Sequence, residues 1–274
     1  MALDPLSPAA FAFIVQVEAA FSRLMRYARP ASDPDSRLGS DLGGKLVYAG
    51  DLDEPGRAFT VAAGIAGAAT LAACAQPAAA KQAVRDGVCD FLVNSLDEAL
   101  RILKNQVRKR EAVAVCVSAA PAAIDAEMRG RGVQPDLLYS DGVLAPWREP
   151  ATGLLDRIDA AEDRSAWLTW RVADAPARWL PKLDGLALSV LDDVLASDSP
   201  APDPILARRW IERAPAYLGR MAHNARTLRT TERAAEQMAA RFRSAVSSGE
   251  IAAPVELAFG PWPTSRTESL VLRG

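Results

Sequence analysis

The chain has 274 residues, 50% hydrophobic and 24% charged, with a formal net charge of -2. That is long enough to bury one large core or two small ones, and the composition excludes a disordered chain, a disulfide scaffold and any global attraction to nucleic acid or anionic lipid. Cys74, Cys89 and Cys116 are odd in number and too widely spaced for a C-x-x-C pair, which fits buried reduced thiols, and with His223 as the only histidine a multi-histidine metal site or a two-histidine acid/base pair is impossible.

Residues 8–28 carry Phe11, Ile14, Val15, Val17, Phe21, Leu24 and Met25 at the three-and-four spacing of an amphipathic helix, and a segment rich in Pro, Ser and Asp then ends it. Asp4 and Glu18 flank its apolar stretch and no basic region precedes it, which argues against a signal peptide. No apolar run reaches the ~20 residues of a membrane helix, so a cytoplasmic protein is expected. From Lys45 the period changes. Short apolar runs at 46–49, 70–74, 91–93, 113–117 and 137–139 alternate with helical stretches, the pattern of a parallel sheet covered on both faces. Asn94-Ser95-Leu96-Asp97-Glu98 predicts a helix start, and Gly130 and Gly132 predict the end of a helix that begins near Pro121.

Beyond this domain the pattern weakens. Residues 166–172 have strand composition, 179–195 read as a helix interrupted at Gly185, and 198–204 as a loop. Residues 205–247 read as helical with a break near Pro215, Ser248-Gly249 stops them, and 254–259 is strand-like. The expected architecture is α/β: a Rossmann-like parallel sheet over residues 43–146 with helices on both faces, and a smaller α-rich part formed by residues 1–42 and 147–274.

Several stretches, in chain order, resemble urocanase, the enzyme that hydrates urocanate in histidine breakdown. Gly44 to Ala49 looks like the family's first strand of the NAD domain. The helix through Ala62-Ala63 and Ala66-Gly67-Ala68, the segment Ser95-Leu96-Asp97-Glu98-Ala99-Leu100, and the turn Arg131-Gly132-Val133-Gln134-Pro135-Asp136 are similar to their family counterparts. Near the C-terminus, Ser248-Gly249-Glu250-Ile251 with Ala253-Pro254 and Arg266-Thr267-Glu268-Ser269 resemble two further motifs. The resemblance covers most of this chain and only the later part of a urocanase.

The departures fall on the chemistry that the resemblance implies. Where the family has a G-L-G-G-M-G-G loop, whose glycines let backbone approach the pyrophosphate of NAD, this sequence reads Asp51-Leu52-Asp53-Glu54-Pro55-Gly56-Arg57, and of those glycines only Gly56 remains. Three carboxylates against two phosphates cost ~3 kcal/mol for each like-charge pair at about 5 Å and an effective dielectric near 20. Pro55 removes an N–H donor, and Arg57 offsets one charge. Cys74 and Gln76 stand where the family holds the ribose with acids, Ala79 replaces an arginine, and Ser140-Asp141-Gly142-Val143-Leu144-Ala145-Pro146-Trp147 keeps only Asp141 and Ala145 of a further loop. In the catalytic stretch Ala225-Arg226 and Glu232-Arg233 are retained two residues too close together, and Leu228 stands at the cysteine.

The resemblance therefore implies a urocanase-like protein with a degenerate NAD site, no catalytic residues and no cofactor. Two function classes stay open. One is a pseudoenzyme acting as a binding or interaction module. The other is a diverged enzyme with a rebuilt pocket at the carboxyl ends of the strands, the crevice being lined by Asp51, Asp53, Glu54, Gly56, Arg57, Ser140 and Asp141. The three acids would also suit a hard divalent cation, but a solvated turn is the simpler reading and no metal is expected. Of 32 basic residues only five are lysines, and Glu212, Glu232 and Glu236 intersperse the arginines between 208 and 243, so a solvated face is read there and no nucleic acid. Trp147, Trp167, Trp170, Trp179, Trp210 and Trp262 lie outside the Rossmann segment, as core or as an interface. The expected partners are a second copy or another protein, with a small-molecule ligand possible and no membrane.

Overall fold

The computed structural model describes residues 7–28, 41–140, 143–146, 165–195, 203–260 and 266–271. Contacts divide the chain into two units, one of residues 15–159 and the other of residues 1–14 with 160–274. Most of the first helix thus goes with the Rossmann unit, which the sequence boundary at residue 43 left out.

In the first unit the elements follow as α1 (Pro8–Ala28), β1 (Leu46–Asp51), α2 (Glu54–Ala66), β2 (Ala69–Ala73), α3 (Pro77–Arg85), β3 (Phe91–Val93), α4 (Leu96–Lys109), β4 (Val113–Val117), α5 (Pro121–Gly130), β5 (Leu137–Ser140) and β6 (Val143–Pro146). The sheet order is β3-β4-β2-β1-β5-β6, with the first five strands parallel and β6 antiparallel to β5. The chain winds from β1 toward β2 and the β3 edge, then crosses to the other side of β1 for β5, so the winding reverses between β1 and β5. Crevices form at such a reversal.

Every residue of β2 and β4 is buried, as burial on both faces requires. Side chains alternate across the pleat. Val113, Val115 and Val117 join Leu71, Leu96, Leu100, Leu103, Ile124 and Met128 in the core under α4 and α5, which leaves Ala114 and Cys116 for the opposite face. Helix α4 starts where the sequence predicts: Ser95 Oγ accepts from Glu98 N at 3.3 Å while the Glu98 carboxylate accepts from Asn94 N at 3.0 Å. The thiols of Cys74, Cys89 and Cys116 are free and buried. Cys89 shares a thiol hydrogen bond with Cys116, and that bond together with burial pushes the Cys89 thiol far above its ordinary range, which keeps it unreactive.

Helix α1 meets, by length and composition, the requirement for crossing a membrane, although its apolar runs are short. The reason is that Glu18, Arg23 and Arg26 interrupt a largely apolar helix without lowering its mean hydropathy far. Val17, Phe21 and Leu24 are fully buried, and Glu18 accepts a 2.7 Å hydrogen bond from Ser22 Oγ one turn on.

The second unit holds β7 (Ser165–Val172), α6 (Pro176–Leu195), α7 (Pro204–Tyr217), a 3-10 turn (Gly219–Ala222), β8 (Ala225–Thr231), α8 (Glu232–Ser247), β9 (Val255–Phe259) and β10 (Arg266–Leu270). Its sheet is antiparallel in the order β10-β9-β7-β8. Helix outweighs strand in it, as the expectation of an α-rich part has it, but the four-stranded antiparallel sheet is an addition. Residues 225–231 are a strand, not helix: alternate positions Ala225, Thr227 are buried beside half-buried Arg226, and threonines at 227, 230 and 231 favour the pleat. Helix α6 runs unbroken through Gly185, and α7 continues past Pro215 to Tyr217. The single histidine, His223, is exposed just after the 3-10 turn instead of lying in a helix. Trp170, Trp179 and Trp210 are buried within the chain, packing as core: Trp170 lies 5.5 Å from Phe242 of α8, and Trp210 Nε1 donates to Thr227 O at 2.8 Å. They therefore give no support to a tryptophan-built interface. Trp147 and Trp262 lie outside the described residues.

Candidate functional site: the carboxyl end of the first strand

The stretch 51–57 is not one acidic turn. Asp51 is the last residue of β1, Leu52 is buried, Asp53 is the N-cap of α2, and Glu54 is its first residue. This corrects the expectation of three acids gathered in a loop, and the reason is local. Asp53 has extended backbone, and its Oδ1 accepts from Gly56 N at 2.9 Å, the arrangement an aspartate three residues before a helical N–H is built to make. Pro55 sits in the first turn, where a missing N–H is tolerated.

The three carboxylates then go separate ways. Asp53 is spent on the cap. Glu54 accepts from the Gln16 amide of α1 at 3.5 Å. Asp51, at the strand end, bears on Tyr48, whose hydroxyl donates to Pro121 O at 3.0 Å; burial first, then the carboxylates of Asp125 and Asp51, push that phenol well above its ordinary value. Among the described residues no three or more His, Cys, Asp or Glu side chains converge as metal ligands do.

Gly56 is kept for packing. A Cβ there would overlap the Asp51 carbonyl oxygen, so only glycine lets the first turn of α2 press against the end of β1. Gly50, which the sequence reading passed over, holds φ +68° in β1 with the Tyr139 carbonyl 3.3 Å from where its Cβ would be. The register between β1 and β2 shifts at this point.

Arg57 does not offset the acids beside it, as the sequence suggested. Its guanidinium pairs with Asp86 at 2.6 Å, beyond the end of α3, and Gln82 Nε2 donates to the other oxygen of the same carboxylate at 2.8 Å. Cys74 Sγ, 3.5 Å from Gln76 O, is a buried donor, and Gln76 is exposed at the start of α3 without capping it. Of the two remaining candidates, Ser140 ends β5 with its side chain outside the described residues, and Asp141 lies wholly outside them.

A cavity that the sequence did not announce lies beside this junction. It has a volume of about 250 Å³ and is walled by Gln16, Ala19, Ala20 and Arg23 of α1, by the first turns of α2, and by Tyr139 of β5. Phe59 and Tyr139 stack at 4.2 Å with an interplanar angle of 10°. The signal for α1 was its amphipathic period, but nothing in the sequence placed its alanines against α2.

In the second unit, Leu228 is buried in β8 opposite Leu168. Arg226 pairs with Asp184 at 3.0 Å, both side chains 14% exposed, and Trp170 Nε1 donates to the same carboxylate at 3.2 Å. Burial raises the Asp184 pKa against the opposing pull of Arg226. Arg226, the retained basic residue, is thus built into a core contact.

A parallel sheet that reverses its winding beside β1, with a glycine pressing the first crossover helix onto that strand, defines a Rossmann-like domain. More particularly, residues 27–145 match the family model described as the urocanase Rossmann-like domain. The chain carries a urocanase-family domain.

Proposed function

We propose that this urocanase-family protein neither holds NAD nor hydrates urocanate, and works as a binding module. The observation that carries the reading is the Asp53 carboxylate on the Gly56 N–H. A pyrophosphate needs the first-turn N–H groups of the helix after β1. Here Gly56 donates to Asp53, Pro55 has no N–H, and Arg57 N donates to Asp53 O at 2.9 Å as a helix bond, which leaves at most the Glu54 N–H. An internal anion occupies the place of the external one, and the residues present do not fit the cofactor. The burial of Leu228 at the position of the family's cysteine supports the loss of hydration.

Titration calorimetry with NAD and the ultraviolet absorbance of urocanate test the two parts. No heat at micromolar NAD and unchanged absorbance are expected; NAD carried through purification would overturn the reading. The second reading, a diverged enzyme with a rebuilt pocket, has the cavity beside Tyr139 as its pocket, but the polar wall residues Gln16, Arg23 and Tyr139 suit binding better than nucleophilic chemistry and so favour the first reading. We further propose that the chain works in the cytoplasm, as a homodimer or bound to another protein. Light scattering up to ~100 µM checks the assembly, since association follows concentration.

A further inference from the structure

We propose that the protein pairs with a second copy of itself through the outer edge of β10, making one continuous antiparallel sheet across both copies. This rests on the reading of the chain as an interaction module and gives it a partner and a surface. In an antiparallel ladder, directly opposite residues alternate between pairs that exchange N–H···O bonds and pairs that do not, so one bond fixes the direction of every backbone group along a strand. Gly260 N donates to Trp167 O at 2.7 Å, one step beyond the opposed pair Leu168 and Phe259. Glu256, Ala258 and Gly260 therefore point their backbone groups at β7, while Val255, Leu257 and Phe259 point theirs at β10, where they face Leu270, Glu268 and Arg266. The backbone groups of Thr267 and Ser269 are left directed outward. Among the described residues β10 has a strand on one side only.

The two edges of this sheet are finished differently. On β8, Asn224 accepts from Val172 N, so Ala225, Thr227 and Arg229 face outward, and the Thr227 carbonyl is taken by the Trp210 indole of α7 at 2.8 Å. From Thr267 to Val271 the usual guards of an edge are missing: there is no proline, no lysine and no slip in the register of β10. The one charge, Glu268, is bound to Arg243 of α8 at 2.8 and 2.7 Å. Val271 follows the exposed Thr267 and Ser269 in the same alternation and is 58% exposed, one of three large hydrophobic side chains so exposed among the described residues. Beside Thr267 the sheet face is hollow, with a volume of about 290 Å³ walled by Thr169, Glu256, Ala258, Thr267 and Ser269 among others.

These positions select a second copy and its register. Outward residues must face outward residues, which allows two-fold pairings centred on Thr267, on Glu268 or on Ser269. Centring on Glu268 sets two carboxylates directly opposite, which destabilises a sheet. Centring on Thr267 leaves Val271 opposite no residue of the other β10. Centring on Ser269 sets Glu268 against the second copy's Leu270 and Thr267 against its Val271. The exposed valine is then covered at the mouth of the hollow, and every contact is made twice, as an isologous interface requires.

The test is light scattering of the full chain over ~1–100 µM, joined to cysteine cross-linking. A dimer mass is expected at the upper end, since association follows concentration. Ser269→Pro removes an outward N–H and is expected to leave a monomer with unchanged thermal unfolding, because proline is tolerated at such an edge. Val271→Asp is expected to weaken association at least about 10-fold by putting a charge where an apolar side chain is covered. Under mild copper oxidation Ser269→Cys is expected to link two copies, the opposed Cα atoms lying about 5.5 Å apart. Thr267→Cys, roughly 14 Å from its equivalent at ~3.4 Å per residue, is not. Cys74, Cys89 and Cys116 are buried and supply no competing link. If Ser269→Pro fails to fold, Val271→Asp and the cross-links decide. A monomer at ~100 µM, association unchanged in Val271→Asp, or no preference of Ser269→Cys over Thr267→Cys for linking would overturn the proposal. Those results remove this surface alone, whereas binding of NAD removes the reading it rests on.

Discussion

Strand β1 has been treated differently at its two ends. At the amino end the Asp136 carboxylate accepts from Leu46 N at 2.9 Å and from Lys45 Nζ at 3.0 Å, tying the start of β1 to the turn before β5. All three residues belong to stretches that resemble the family. Arg131 of the same turn pairs with Asp97 of α4 and Glu127 of α5. At the carboxyl end, Asp51, Asp53, Glu54 and Arg57 stand where the resembling family's loop has glycines, and the helix terminus is closed by its own chain. The difference teaches that the two ends are held by different means: the amino end is tied across the sheet to the turn before β5, and the carboxyl end is closed locally by the first turn of α2.

The largest effect is expected from Gly56→Ala. Its Cβ would overlap the Asp51 carbonyl, so β1 and α2 must part, and a cost of about 3 kcal/mol or more is expected in urea denaturation. A near-neutral result would mean that the junction is looser than its geometry. Asp136→Ala comes next, at roughly 1.5–2 kcal/mol, because it strips a charged acceptor from the Leu46 N–H. Asp53→Ala is expected to cost ~1 kcal/mol and Asp53→Ser almost nothing, since serine also caps. Should Asp53→Ala prove as costly as Asp136→Ala, the carboxyl end would be as much a part of the frame as the amino end. Lys45→Met sets the lower bound. Its ion pair with Asp136 is solvent-exposed, and a change within about 0.5 kcal/mol is expected over the same denaturant series.

The five parallel strands were legible as short apolar runs between helical stretches: β2 and β4 are continuously apolar because they are buried on both faces, and even the partly exposed edge strand β3 is Phe91-Leu92-Val93. β6 was not, since Val143-Leu144-Ala145-Pro146 is short and ends on a proline that suits an edge. β8 was masked for another reason: Arg226, Arg229, Glu232 and Arg233 spread charge at helical intervals, and the stretch is a strand only because Leu168 and Trp170 of β7 await a partner. At the candidate site the departure from the glycine loop was plain from residue types, but the segment was read as a solvated turn, although Asp53 two residues before Pro55 is the pattern of a helix cap. The partner of Arg57 was hidden, because Asp86 is brought near only by the crossover through β2 and α3.

Helix α1 has a consequence for how the protein is made. Its apolar residues Val17, Phe21 and Leu24 are buried in the finished fold, yet Tyr139, which shares a cavity wall with Gln16 and Arg23, leaves the ribosome more than a hundred residues later. At about 5–20 residues per second that interval is on the order of ten seconds. Throughout it a long helix of largely apolar composition is without part of its final surroundings. The nascent chain is thus most exposed to chaperones, membranes and misassociation before β5 emerges, and its yield on overexpression should depend on the speed of translation across residues 28–139.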